Sequence, residues 1–326
     1  MTRFRMLAIA VLALLVLLGA LADPAAAQKK MAMILPGPVE DADFNALGYG
    51  ALQAVGKAHG LAVSHSEKVA VADAERVARE YLGSGYSIVA FHGGQYLTMV
   101  QKLAAQFPDA NFIIVSQGKG LPGNVWNIRR HFHEGFYPLG ALAALATKTN
   151  KIAFISGIRL PDFIASLNAA HAAIKETNPK AEVRYAFVGD QNDPLKARQS
   201  AQSMLAEGND VIISALNLGV FGVVEAVKAS GKPVLVTSFY TDKHDSAPQV
   251  YATSLLLDFT TAYRDVVGSI LKGERSGDYA MRPGRAMSLA PIHNVSPEIA
   301  RRVDEIYQAV VRGKAVPEIV DKIVVP

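Results

Sequence analysis

The chain has 326 residues, 50% of them hydrophobic (AVILMFWYC) and 19% charged, a composition that supports two sizeable cores and excludes a disordered chain. It has no cysteine, which excludes disulfides, a thiolate nucleophile, a zinc ribbon, an iron–sulfur cluster and a lipid-bearing N-terminal cysteine. The net charge is only +4 and the basic residues are scattered singly, so no nucleic-acid partner is expected; the densest groups, Arg129-Arg130 and Arg282 with Arg285, look like solvated loop charges.

Residues 1–27 have the form of a cleaved secretory signal. Arg3 and Arg5 precede an apolar run from Met6 to Leu18, and Ala25-Ala26-Ala27 supplies small residues before Gln28. The run falls short of the about 20 residues that a membrane span needs. From Lys30 onward short apolar runs alternate with segments of helical period, the pattern of parallel strands covered by crossover helices. Strands are expected at 30–35, 61–66, 87–92, 111–116, 124–128, 151–156, 182–188, 210–215, 233–238, 250–256 and 286–291. Between them, stripes such as Leu47, Ala51 and Val55, or Tyr263, Val267, Ile270 and Leu271, mark the core faces of helices. The fold class is therefore α/β, doubly wound and mostly parallel, and so many strands divide more readily into two sheets than one. Ligands of such sheets sit beyond the carboxyl ends of the strands, which makes the residues after each strand the candidates for function.

The first strand is followed by GPVEDADFNALGYGAL. Here Asp41, Asp43 and Asn45 can hydrogen-bond a polar ligand, and Phe44 and Tyr49 can stack on one. The same residues can equally be a helix cap, Asp41 or Asp43, and core, Phe44. After the third strand, His92-Gly93-Gly94 and Gln95 offer an imidazole, an amide and backbone N–H groups; an oxyanion loop would need a GxSxG nucleophile, which the chain lacks. Gly118, Gly120 and Gly123 match GxGxxG but lead into a strand where a dinucleotide fold needs a helix, so no nicotinamide and no other cofactor is expected. His131, His133 and Glu134 are a weak metal motif: alternate residues share a face only in extended chain, and these open a helix. Capping and surface roles, and no metal, are expected there.

GPVEDADFN resembles the opening motif of the basic membrane protein family of solute-binding proteins, which includes purine-nucleoside receptors of ABC importers. The stretches NVWNIRRHFHEGFYPLGALAALATKTNKIAFISG, NPKAEVRYAFVGDQNDPLKARQSAQ, EGNDVI and VYATS follow in the family's order, so the resemblance covers nearly all of residues 30–295. It implies a two-lobed type I periplasmic-binding fold with three chain crossings, one lobe holding 28–130 and 239–284 and the other 131–238 and 285–326. It also implies a non-enzymatic periplasmic receptor, a monomer, that closes on a small molecule and passes it to an ABC permease in the inner membrane. Many relatives carry a lipobox cysteine; its absence here implies a freely diffusing protein and not a lipoprotein. Ligand roles carry over to Asp41, Asn45 and Tyr49, where residues match. Three positions depart: Ser116 and Ser238 stand where the family has aspartates, and Leu257 where it has a lysine. A serine holds ribose hydroxyls less well than a carboxylate, so a flat ligand such as a nucleobase is expected in preference to a nucleoside, with Phe44, His92, Gln95 and Asn217 completing the site. A hydrolase or lyase using His92 with Asp41 and Asp43, and a sensory partner that presents ligand to a membrane receptor, are the alternatives.

Overall fold

The computed structural model describes residues 29–326; the expected signal, 1–27, lies outside the described residues. The apolar runs become strands because helices cover both of their faces. β1 (Lys30–Ile34), β3 (Ile88–Phe91), β4 (Asn111–Val115), β6 (Lys151–Ser156) and β8 (Val211–Ala215) are buried along nearly their whole length. With β2 (Ala62–Ser66), β5 (Val125–Arg130), β7 (Glu182–Phe187), β9 (Leu235–Tyr240), β10 (Tyr251–Leu257), β11 (Gly277–Pro283) and β12 (Ala286–Leu289) they form a twelve-stranded sheet in the order β2-β1-β3-β4-β5-β11-β12-β10-β9-β8-β6-β7. Among the strands of the described residues, only β10 and β12 pair antiparallel. The first six strands of that order and the last six meet where β11 touches β12, over the pairs Arg282 with Ala286 and Pro283 with Met287. The molecule thus has two halves joined at a narrow seam.

The helices fill the crossovers: α1 (Phe44–His59), α2 (Val71–Gly83), α3 (Leu97–Gln106), α4 (Phe132–Ala146), α5 (Pro161–Thr177), α6 (Pro194–Ala206), α7 (Gly219–Ser230), α8 (Phe259–Leu271) and α9 (Pro297–Val311). Several begin on a side-chain cap. Asp193 accepts from the Leu195 and Lys196 N–H groups, with Pro194 next to it, and Asp258 accepts from Thr261 N. Helix α4 is buried on nearly every side and crosses α5 so closely that a Cβ on Gly140 would collide with the Ala170 carbonyl.

Two features differ from expectation. The segment GDYAMRP is a strand, β11, pairing with β5 in parallel register, Tyr279 opposite Ile128. Its burial alternates, with Tyr279, Met281 and Pro283 inward, so it lacks the continuous apolar run that marks strands such as β1, β3, β4 and β8. The middle crossing also lies later than 238/239. β10 pairs with β9, Ser254 opposite Ser238, and the chain leaves the second half-sheet only at Asp258, after which α8 packs on α1. A strand between β9 and β12 has partners on both edges and stays with them.

Candidate functional site

The parallel strands of both halves point their carboxyl ends at one cavity of about 670 Å³. From the first half it is lined by Pro36-Gly37 after β1, Gly93–Gln95 after β3, Ser116–Gly118 after β4 and Arg130 at the end of β5. From the second come Ile158 and Leu160–Phe163 after β6, Asp190–Asn192 after β7, Asn217 after β8 and Tyr240 at the end of β9. Backbone ends at these positions because each strand runs out of pairing partners there, which leaves side chains and turns to face the cleft.

The start of α1 is organised by Asp41. Its buried carboxylate accepts from the backbone N–H groups of Asp43 (3.0 Å), Asn45 (2.9 Å) and Ala46 (2.9 Å) and from Asn45 Nδ2 (2.6 Å), so it satisfies the free donors of the first turn. That anchoring turns Phe44 and Asn45 toward the cavity. Behind Phe44 lies His92, fully buried and stacked on it with ring centroids 4.1 Å apart. His92 Nε2 is 2.8 Å from the Phe44 carbonyl and Nδ1 is 2.9 Å from the Tyr263 hydroxyl. A carbonyl only accepts, so Nε2 carries the proton and Nδ1 accepts from Tyr263. Burial pushes the His92 pKa down to about 3, which keeps the ring neutral.

Arg130 crosses from one half to the other. Its Nη2 lies 2.9 Å from Asp162 Oδ2 at the start of α5, Nη1 lies 3.4 Å from the Tyr240 hydroxyl, and the guanidinium sits over the Phe44 and Phe132 rings at 5.3 and 4.9 Å. Phe44 and Tyr240 stand 5.9 Å apart by centroid, giving the cavity an aromatic wall with contributions from both halves. Around this wall several buried polar atoms have no hydrogen-bond partner among the described residues: Gln117 Oε1, Arg130 Nε, both amide atoms of Gln191, and Asn217 Oδ1. Native proteins satisfy buried groups of this kind, so a ligand with donors and acceptors on its edge has somewhere to bond.

Of the residues expected at the site, Phe44, Asn45, Gln95, Ser116 and Asn217 line the cavity. Ser116 is already engaged, donating to Asn127 Oδ1 (2.8 Å) and accepting from Gly118 N (3.1 Å). Asp41 and His92 stand behind the lining and shape it. Tyr49 packs on His65 instead, because it follows Phe44 by five residues, about 140° around the helix. Ser238 is buried against Ser254 at 2.8 Å, and Leu257 is core. Arg130, expected to be a solvated loop charge, has a side chain only 12% exposed and belongs to the lining. Gln117, Asp162, Phe163, Gln191 and Tyr240 were not expected; position at a strand's carboxyl end is the one sequence signal they share. His92, Asp41 and Asp43 do not form an acid–base set on the cavity. Asp41 caps α1, and Asp43, fully buried, is held by Lys243 Nζ and Thr241 Oγ1, both at 2.8 Å.

The sequence matches the model of the family described as Bmp, ABC transporter substrate-binding protein PnrA-like, over residues 28–283. It is 26% identical over 309 residues to a CD4+ T-cell-stimulating antigen of Listeria monocytogenes, covering 86% of each chain. It is 24% identical over 252 residues to a purine-binding protein of Brucella abortus, covering 76% of this chain and 69% of that one. Among solved structures, an ABC transporter solute-binding protein from Conexibacter woesei superimposes with a TM-score of 0.71 at 24% identity, over 89% of this chain and 99% of that one. The architecture is that of the two-lobed type I periplasmic-binding proteins.

Proposed function

The chain belongs to the PnrA-like family of ABC transporter substrate-binding proteins, and on that premise we propose that it captures a flat heteroaromatic molecule, a nucleobase in preference to a nucleoside, in the cavity between its halves. Membership of the family implies a small-molecule ligand and a membrane permease as partner. The observation that carries the ligand class is the pairing of aromatic faces, Phe44 and Tyr240, with the unpartnered amide of Gln191 and the unpartnered amide oxygens of Gln117 and Asn217. Stacking holds a planar ring, and an amide offers a donor and an acceptor to the ring's edge. Preference for the base follows from the carboxylates: Asp162 is tied to Arg130, Asp190 is exposed at the rim, and position 116 offers only an engaged hydroxyl to a ribose.

Capture works through the two halves. A ligand that touches both shifts an open–closed equilibrium toward the closed form, which the permease then recognises. The chain acts as a monomer in the periplasm after cleavage behind Ala27; no helix among the described residues is long and apolar enough to cross a membrane. A thermal-shift panel of nucleobases, nucleosides, sugars and amino acids, followed by calorimetry on wild type, Phe44→Ala and Asn217→Ala, tests the ligand class. A nucleobase at 100 times its dissociation constant should stabilise the protein by about 2.7 kcal/mol. Phe44→Ala should weaken binding about tenfold or more. Stabilisation by a sugar or amino acid alone, or a nucleoside bound more tightly than its own base, would refute the proposal, and recovery of a chemically altered ligand would refute the receptor role.

A further inference from the structure

Away from the cavity, three side chains converge where β5 gives way to α4. His131 is the residue before the helix, His133 and Glu134 lie in its first turn, and one donor atom from each lies within 4.8 Å of the others. The imidazoles were expected to face apart, as they would inside a helix. They do not, because His131 keeps a non-helical backbone, φ −83° and ψ 61°, and its N–H is held by the Met281 carbonyl of β11 at 2.9 Å. The two rings stand 5.5 Å apart by centroid.

The distances suit a small cation. Glu134 Oε1 is 3.3 Å from His131 Nδ1 and 4.0 Å from His133 Nε2. A tetrahedral Zn²⁺ with ligands at about 2.0–2.1 Å sets its donor atoms roughly 3.3 Å apart, so one edge already fits and the second closes with a small turn of the His133 ring. His133 is the telling group. It is 5% exposed, and its two ring nitrogens face the Glu134 and Glu318 carboxylates at 4.0 and 3.9 Å, too far for a hydrogen bond. A metal ion between His133 and Glu134 would give Nε2 the close partner that the carboxylate alone does not.

Glu318 Oε1 lies 3.9 Å from His133 Nδ1, beyond hydrogen-bond reach, and adds negative charge beside the cluster that favours a cation there. Arg282 Nε lies 2.9 Å from Glu134 Oε2, which orients the carboxylate so that Oε1 faces His131 Nδ1, a contact the ion would replace. Arg129 Nη2 lies 4.0 Å from the Glu318 carboxylate, so each guanidinium nearby faces a carboxylate of its own. The geometry points to a binding site for one late first-row divalent cation, Zn²⁺ foremost, held by His131 Nδ1, His133 Nε2 and Glu134 Oε1. Two imidazoles and one carboxylate select such an ion over Mg²⁺ or Ca²⁺, which take oxygen ligands. Three protein ligands leave a fourth position for solvent or an added ligand.

Untagged mature protein, stripped with EDTA, is titrated with ZnCl₂ by calorimetry, with MgCl₂ and CaCl₂ as controls. The titration is repeated on His133→Gln and Glu134→Gln, whose metal-free melting temperatures check that they fold. One Zn²⁺ per chain is expected, with no saturable heat from Mg²⁺ or Ca²⁺ and binding at least about tenfold weaker in each variant. If a variant does not fold, the visible spectrum of the Co²⁺ form of the unaltered chain is read instead, and the intense band of a four-coordinate ion is expected. Absence of saturable Zn²⁺ uptake, uptake indifferent to both substitutions, or the weak spectrum of six-coordinate Co²⁺ would each overturn the assignment.

Discussion

Lys243→Met should destabilise the protein far more than the loss of a surface lysine. Lys243 Nζ lies 2.8 Å from Asp43 Oδ1, in a pair whose side chains are 5% and 0% exposed. It also donates to the Phe239 carbonyl and to Thr241 Oγ1, both at 3.0 Å, and so joins the loop before α1 in one half to the segment after β9 in the other. With an effective dielectric constant of about 20, the attraction at that separation is about 6 kcal/mol, against several kcal/mol of desolvation for each ion. The net contribution of the intact pair is therefore small. Removing one member leaves the other buried and uncompensated, and Lys243→Met should cost about 3–5 kcal/mol at neutral pH.

The pH dependence of that loss is the sharper signature. Burial pushes the Asp43 pKa above 3.8, and Lys243 is the largest influence holding it down, so the carboxyl rises further in the variant. A carboxyl whose pKa is raised by folding binds its proton more readily in the folded state. The variant's deficit is then widest above the folded pKa and shrinks as pH falls through it. Asp43→Leu combined with Lys243→Met removes both charges and should recover most of the loss. Urea unfolding at pH 5 and pH 7, followed through the single tryptophan, Trp126, measures the wild type and both variants. A loss below about 1 kcal/mol for Lys243→Met, the range of an exposed pair, or a double variant no more stable than the single one would refute the reasoning.

His92 should make wild-type stability fall with acid. Its unfolded form takes a proton below about pH 6.5 and its folded form only near 3, so folding loses about 2 kcal/mol at this site between pH 6.5 and 5. His92→Phe should flatten that slope in urea midpoints, and an unchanged slope would contradict a neutral buried ring. Gly140→Ala, although favourable for an isolated helix by about 1 kcal/mol, should destabilise by about 1–3 kcal/mol, because the new Cβ meets the Ala170 backbone of α5; thermal melts decide the sign. Intact mass of protein from a periplasmic extract should give a chain beginning at Gln28, and recovery only from membranes with Met1 retained would overturn the signal assignment.

The alternation of apolar runs and helical stripes was enough to locate eleven strands and to define the α/β class; the strands inside each half, such as β1, β3, β4 and β8, are buried on both faces and so are apolar at nearly every position. β11 escaped that rule. It is buried on one face only, and its strand character comes from pairing with β5 across a long stretch of chain. The crossing after β10 was hidden for a similar reason: nothing local in VYATSLL says whether β9 or a strand of the other half is its neighbour.

At the site, the sequence marked the places where side chains would face a cleft, since strand ends can be read from periodicity, and Phe44, Asn45, Gln95, Ser116 and Asn217 lie there. It did not separate ligand-facing groups from the groups that hold them. Asp41 and His92 carry ligand-like chemistry, yet one is consumed by the N–H groups of α1 and the other by Tyr263 and the Phe44 carbonyl. Arg130 looked solvated because its partners, Asp162 and Tyr240, are 32 and 110 residues away. His131 and His133 looked divergent because one non-helical residue cannot be read from their spacing. Chemistry by residue type is a property of the sequence; which donor meets which acceptor is decided by contacts distant along the chain, and only the folded structure makes them.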